Sequence, residues 1–127
     1  MIKKFKNQFG NEILFSKKEY LDRVNRVKRK MIEKNVELLL ISSPANQFYL
    51  TGYDGWSFYT PQMVVVELQE QQPYWIGRQM DSVGAKFTAF IDKDHIIPYP
   101  DTFVASQDKH PMHFLANFIR NKKWHKK

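Results

Sequence analysis

The sequence predicts an α/β fold, a layered α/β domain with a mixed β-sheet flanked by helices. Three observations carry that expectation. Segments with apolar residues three and four apart alternate with short apolar runs of strand length. Two of those runs, "MVVVELQ" and "PYWIGR", stand on either side of the polar "EQQ" and predict a β-hairpin. The chain has 127 residues, 43% of them hydrophobic and 26% charged, which suits one domain over 1–127 with its own core.

The elements follow in order. Ser16 and Glu19 have the S-x-x-E spacing of a helix-capping box. Behind them Tyr20, Val24, Val27 and Met31, with Ile32, recur at helical spacing, while Lys and Arg fill the other face. This predicts a helix over 17–34 that Asn35 stops in a left-handed conformation. "VELLLIS", residues 36–42, predicts a buried strand. Ser43 and Pro44 have the chemistry of an N-cap and a first helical residue, so "PANQFYL" predicts a short helix. Gly52, Asp54 and Gly55 predict a loop before the hairpin. After it, "MDSVGAKFTAF" has a helical pattern interrupted by Gly84, and "HIIPYP" predicts a short strand ended by prolines. Pro111 opens a last helix, "PMHFLANFIR", with Met112, Leu115, Phe118 and Ile119 on one face. The closing "NKKWHKK" predicts a charged tail that frays.

Charge narrows the function classes. The net charge is +7, and its sources are segregated. Residues 1–34 hold eleven Lys/Arg against four acids, residues 35–108 three against nine, and residues 109–127 six against none. A binder of single-stranded nucleic acid needs rings and cations on one surface. Here the ring-rich stretch lies in the acidic middle and the cations at the two ends, so no specific nucleic-acid site is expected. No apolar run approaches the ~20 residues that span a bilayer, and the basic start is not followed by a signal-peptide core. The expectation is a soluble cytoplasmic protein with no membrane partner. The absence of cysteine leaves no disulfide or thiol chemistry.

No catalytic constellation is complete, so the catalytic and metal-ligand sets are both expected to be empty. Ser57 sits in "GWSFY", not in G-x-S-x-G, and no base is placed for it. There is no phosphate-binding glycine loop and no H-E-x-x-H. His110 and His113, with Asp108 before them, are too few for a metal. A polar cap on the Pro111 helix explains them better. Asp92 to Asp94 read as a turn.

One stretch resists that treatment. Six of the twelve residues from Phe48 to Tyr59 are aromatic. Trp56, Phe58 and Tyr59 follow Asp54 and Gly55 on a connection into a strand. Extended backbone would send Trp56 and Phe58 one way and Ser57 and Tyr59 the other, and both faces cannot enter one core. Rings left on a surface predict contact with a ligand or a partner chain. The competing reading is simple packing of helix end and loop.

The residues then reach a family. "EYLDRVNRVKRKMIEKNVELLLISSPANQFYLTGY" and the hairpin after it, with "TGYDGWSFY", "GRQMDSVGAK" and "YPDTFVASQDKHPM" in that order, resemble the N-terminal domain of creatinase/prolidase-type "pita-bread" hydrolases. The resemblance runs from Glu19 to about Ile119 and is nearest to the ectoine hydrolase branch. It implies an α/β unit with a mixed sheet that precedes a catalytic domain of about twice its size. The catalytic histidine and carboxylates lie in that second domain, with a divalent metal in metal-using members. This chain would then hold no cofactor of its own, and its partners would be the missing C-terminal catalytic domain and a second subunit of a homodimer. In creatinase-like dimers the N-terminal domain of one subunit reaches over the other's active site. The matching residues are Asp54, Trp56, Phe58 and Tyr59, with Arg78, as a substrate-binding wall. The resemblance leaves ectoine, Xaa-Pro dipeptides and creatine-like amidines open as small-molecule or dipeptide substrates of C–N hydrolysis. A reading from another class is a stand-alone interaction module that lacks the catalytic domain.

Overall fold

The computed structural model describes residues 4–57 and 59–125. Its elements are β1 (Phe5–Lys6), β2 (Glu12–Ile13), α1 (Lys17–Glu33), β3 (Leu38–Ile41), α2 (Pro44–Thr51), β4 (Met63–Glu67), β5 (Tyr74–Arg78), α3 (Ser82–Thr88), β6 (Ile96–Tyr99) and α4 (Pro111–Asn121).

Helix α1 starts and stops on the residues that its sequence marks. Ser16 Oγ accepts the Glu19 N–H at 3.1 Å, while the Glu19 carboxylate turns along the helix to Arg23. At the other end Asn35 takes a φ of 57°. Its N–H reaches the Ile32 carbonyl, and the Val36 N–H reaches the Met31 carbonyl. This double pairing satisfies carbonyls that the helix leaves open, and Val36 packs with Met31 beneath it.

Helix α2 ends at Gly52, with φ 83° and its N–H on the Phe48 carbonyl. A Cβ there would lie 2.7 Å from Tyr20 Oη and 2.9 Å from the Thr88 carbonyl oxygen. Positive φ and lack of space act together, so Gly52→Ala should destabilise the domain by about 1–3 kcal/mol in urea unfolding. Wild-type stability in that variant would show that the α1–α2–α3 junction yields freely.

The main sheet has the order β3-β4-β5-β6, antiparallel at its first two junctions and parallel between β5 and β6. The predicted hairpin is β4–β5, in register Val64 with Trp75. Side-chain alternation then divides the core. Val64, Val66 and Trp75 share clusters with Tyr20, Val24, Leu50 and Ala85, from α1, α2 and α3. Val65, Tyr74 and Ile76 join Tyr99 and Leu115, with α4 packed over them. The expected mixed sheet flanked by helices is thus three layers, with α1 to α3 on one face and α4 on the other.

Four local expectations need correction. Strand β3 is an edge of the sheet, half-buried, with Leu40 43% exposed. An apolar run reads the same at an edge as in the middle. The amino-terminal hairpin β1–β2 was not foreseen, because two-residue strands carry no periodicity. Contacts from distant residues hold it, with the Asn7 and Asn11 amides donating to the Lys86 carbonyl and Asn7 also to that of Ala89. The helical pattern over 80–90 splits into a tight turn, Gln79–Asp81, and the seven-residue α3. Ala89, Phe90 and Ile91 then leave helix and enter the core, Phe90 stacking on Tyr20 at 4.8 Å. The expected fraying tail is held as far as Trp124. Its ring meets Tyr74 and Phe118 at 5.5 and 5.6 Å, and Lys122 Nζ donates to Tyr74 Oη.

Candidate functional site

The connection from Gly52 to Met63 leaves α2 at the left-handed glycine and enters the central strand β4. Its stems are buried and its tip is not. Tyr53 is 3% exposed and packs at 5.3 Å from the Trp75 ring. Gly55 lies so close over the Tyr53 ring that a side chain there would collide with it. Thr60 is buried, and its hydroxyl makes a short contact with the Ser57 hydroxyl. Tyr59 and Thr60 lie in a bend, with the Thr60 N–H on Ser57 Oγ at 3.2 Å, so these two residues depart from the extended backbone that strict alternation assumed. Between the stems Trp56 is 66% and Tyr59 70% exposed.

The predicted residues fall into two groups. Arg78, at the end of β5, donates from Nε to Asp101 Oδ1 at 2.9 Å and from Nη1 to Tyr59 Oη at 3.4 Å. The Asp101 hydrogen bond, and after it the Tyr59 one, push the Arg78 pKa above its ordinary value. Arg78 and Tyr59 therefore form one cationic, aromatic corner. Trp56 and Tyr59 both line an open cleft of about 370 Å³ with Ser42, Pro44 and Met112. Tyr59 also lines a neighbouring cleft of about 280 Å³ with Phe103 and His110. Asp54 lines neither of these. Its backbone N–H donates to Thr88 Oγ1 at 3.1 Å, and it shares with Trp56 a third cleft of about 330 Å³. Trp56 is thus a ridge between two hollows. Phe58 lies outside the described residues.

Several residues that shape the site gave no sequence signal. Asp101 is 23 residues from Arg78, and only the parallel pairing of β5 with β6 brings it near. Tyr53, Gln62 and Tyr99 read as ordinary core or loop positions. Burial pushes the Tyr53 and Tyr99 phenols up to about 12, with Asp81 adding to both. They remain neutral across the ordinary pH range and can donate and accept hydrogen bonds.

His110 behaves as a cap. Its Nδ1 accepts the Met112 N–H at 3.1 Å at the start of α4. Among the described residues no group of three or more His, Asp or Glu side chains is placed to hold a metal ion. Among the same residues no helix is long and apolar enough to cross a membrane. What the arrangement offers is surface chemistry: two rings, one cation held by a carboxylate, and open hollows between them.

The chain is similar to known proteins. The family described as "Creatinase/Prolidase N-terminal domain" matches residues 23–124. The chain is 45% identical to an ectoine hydrolase from Halomonas elongata over 112 residues, 87% of this chain and 28% of that protein. It is 44% identical over 105 residues to an uncharacterized hydrolase/peptidase, y4tM, from Sinorhizobium fredii, covering 83% of this chain and 27% of that protein. The chain therefore spans little more than a quarter of the curated relatives it matches. Among solved structures, the N-terminal domain of an Xaa-Pro dipeptidase from Lactobacillus brevis superposes with a TM-score of 0.63 at 15% identity, over 79% of this chain and 68% of that one. A proline dipeptidase from Streptococcus agalactiae gives 0.61 at 18%, over 76% and 66%. At such identities these structures speak for the fold alone.

Proposed function

The chain belongs to the creatinase/prolidase N-terminal domain family, and from that premise we propose that it serves a C–N bond hydrolase as its non-catalytic N-terminal domain. In this reading the enzyme is ectoine hydrolase-like or Xaa-Pro peptidase-like. The domain supplies a wall of the substrate pocket and contacts to a second subunit, and the reacting groups come from a separate catalytic domain. The observation that carries it is the loop itself. Two large rings, Trp56 and Tyr59, stand more than half exposed on stems that are buried and hydrogen-bonded. Rings held out in this way bury less than half of their surface within the domain itself. The domain gains a surface that becomes buried when another domain closes over it.

Such a wall acts without chemistry of its own. It excludes water from the reacting bond and restricts the poses open to the substrate. The Arg78–Tyr59 corner adds a cation and a phenol suited to a carboxylate, a group that ectoine, creatine and Xaa-Pro dipeptides all carry. Any metal chemistry would reside in the catalytic domain.

The purified chain should hydrolyse neither ectoine, creatine nor Xaa-Pro dipeptides, with or without added Mn²⁺ or Zn²⁺. Turnover that co-purifies with the chain and vanishes in a point variant would overturn this reading.

A further inference from the structure

The loop that carries Trp56 and Tyr59 is closed at its base by side chains distant in sequence. At its start stands Tyr53, 3% exposed. At its end stands Gln62, whose Nε2 donates to Tyr53 Oη at 2.8 Å and to Asp81 Oδ2 at 3.2 Å. One amide therefore ties the two stems of the loop to each other and both to the turn that precedes α3. The neighbouring backbone is pinned as well. Tyr99, 1% exposed on β6, donates its hydroxyl to the Pro61 carbonyl at 2.7 Å. Gln47, 1% exposed on α2, donates to the Gln62 carbonyl at 3.0 Å and to that of Ile41.

We infer that Gln62 is a positioning residue: by joining Tyr53 to Asp81 it fixes the direction in which the loop presents Trp56 and Tyr59. This deepens the pocket-wall reading and rests on it for its biological meaning. The physical case rests on geometry alone. Both protons of the Gln62 amide are committed, one to a phenol and one to a carboxylate. Surrounding side chains that lock a functional group do so through such doubly tied polar atoms. An apolar residue of the same length fills the space but breaks the side-chain ties to Tyr53 and Asp81. A carboxylate at position 62 would face Asp81 with like charge and could not donate to Tyr53.

The polarity of the pair is reversible on paper, which supplies the test. Gln62→Glu with Asp81→Asn exchanges donor and acceptor, so that the new amide donates to the new carboxylate and the Tyr53 hydroxyl donates to it too. The chain has three tryptophans, Trp56, Trp75 and Trp124. Labelling it with 5-fluorotryptophan gives three ¹⁹F resonances that single Trp→Phe variants assign. In Gln62→Met and in Gln62→Glu the Trp56 line should shift or broaden while the Trp124 line, from the α4 side of the sheet, stays fixed. The exchanged double variant should return the Trp56 line toward its wild-type position. A Trp56 line unmoved in Gln62→Met overturns the inference. So does equal movement at Trp56 and Trp124, which would mean general loosening, and so does failure of the double variant to restore the line. The readout needs neither substrate nor catalytic domain. Should Trp56→Ala leave turnover of the complete hydrolase unchanged, the wall reading fails while this positioning result stands.

Discussion

Trp75→Ala should cost the domain about 3–5 kcal/mol in urea unfolding, and Trp56→Ala about 1 kcal/mol or less. The contrast follows from where the two indoles sit. Trp75 is fully buried on β5, opposite Val64 and Ile96 and beside the Tyr53 ring. Its ring lies against Gly77, where even a Cβ would come within 2.5 Å of it. Removing the ring leaves a cavity that the paired strands on either side cannot collapse to fill. A loss of that size is a large part of the ~5–15 kcal/mol that holds a domain of this kind together. Trp56 is 66% exposed, so its removal forfeits little burial. Leu115, 4% exposed on α4, is the matched control on the opposite face of the sheet and should lose about 2–5 kcal/mol as alanine. Phe118, which helical spacing puts on the same footing as Leu115, is only half-buried at the edge of that cluster, and its loss should be smaller. Equal destabilisation by Trp56→Ala and Trp75→Ala would make the loop ring a core residue and end the pocket-wall reading.

In a longer hydrolase carrying this domain, as proposed above, the order of effects should invert. Trp56→Ala and Tyr59→Ala should each lower kcat/KM by roughly 10- to 100-fold while leaving the melting temperature within about 1 °C of wild type. The scale comes from burial: closing a large apolar side chain away from water is worth about 1.5–3 kcal/mol, and each 1.4 kcal/mol is tenfold in rate or binding. Tyr59 carries a second contribution through its hydroxyl on Arg78, so Tyr59→Phe should separate ring from hydroxyl. A shift confined to KM assigns the rings to substrate binding, and a fall in kcat assigns them to orientation during reaction. Both ring variants with wild-type kcat/KM would remove the pocket-wall role.

Much of the fold was legible because local chemistry and tertiary placement agree. Ser16, Asn35, Pro44 and Pro111 mark helix ends through hydrogen-bonding and dihedral constraints that act within a few residues, and each acts so in the structure. The β4–β5 hairpin was legible from two apolar runs and a polar turn. The family motifs then tied these parts to one architecture. The exposure of Trp56 and Tyr59 was one of two readings that the sequence left open, reached from their place after an Asp-Gly break and from an alternation that the bend at Tyr59 and Thr60 does not keep.

The sequence by itself determined the class of element at most positions and the loop on which the rings stand. Both depend on neighbours within about a helical turn or a hairpin. Only the tertiary structure decided which strand is an edge, since burial of β3 depends on what pairs beside it and not on its own apolar residues. Only it brought Asp101 to Arg78 and Asp81 to Gln62, because each pair spans at least 19 residues and meets through sheet order. The amino-terminal hairpin belongs with these. Its strands are too short to stand alone, and it exists because the Asn7 and Asn11 amides find free carbonyls at the end of α3. A side chain's partner at long range is set by the packing of whole layers, and that packing is a property of the folded chain, not of any window of its sequence.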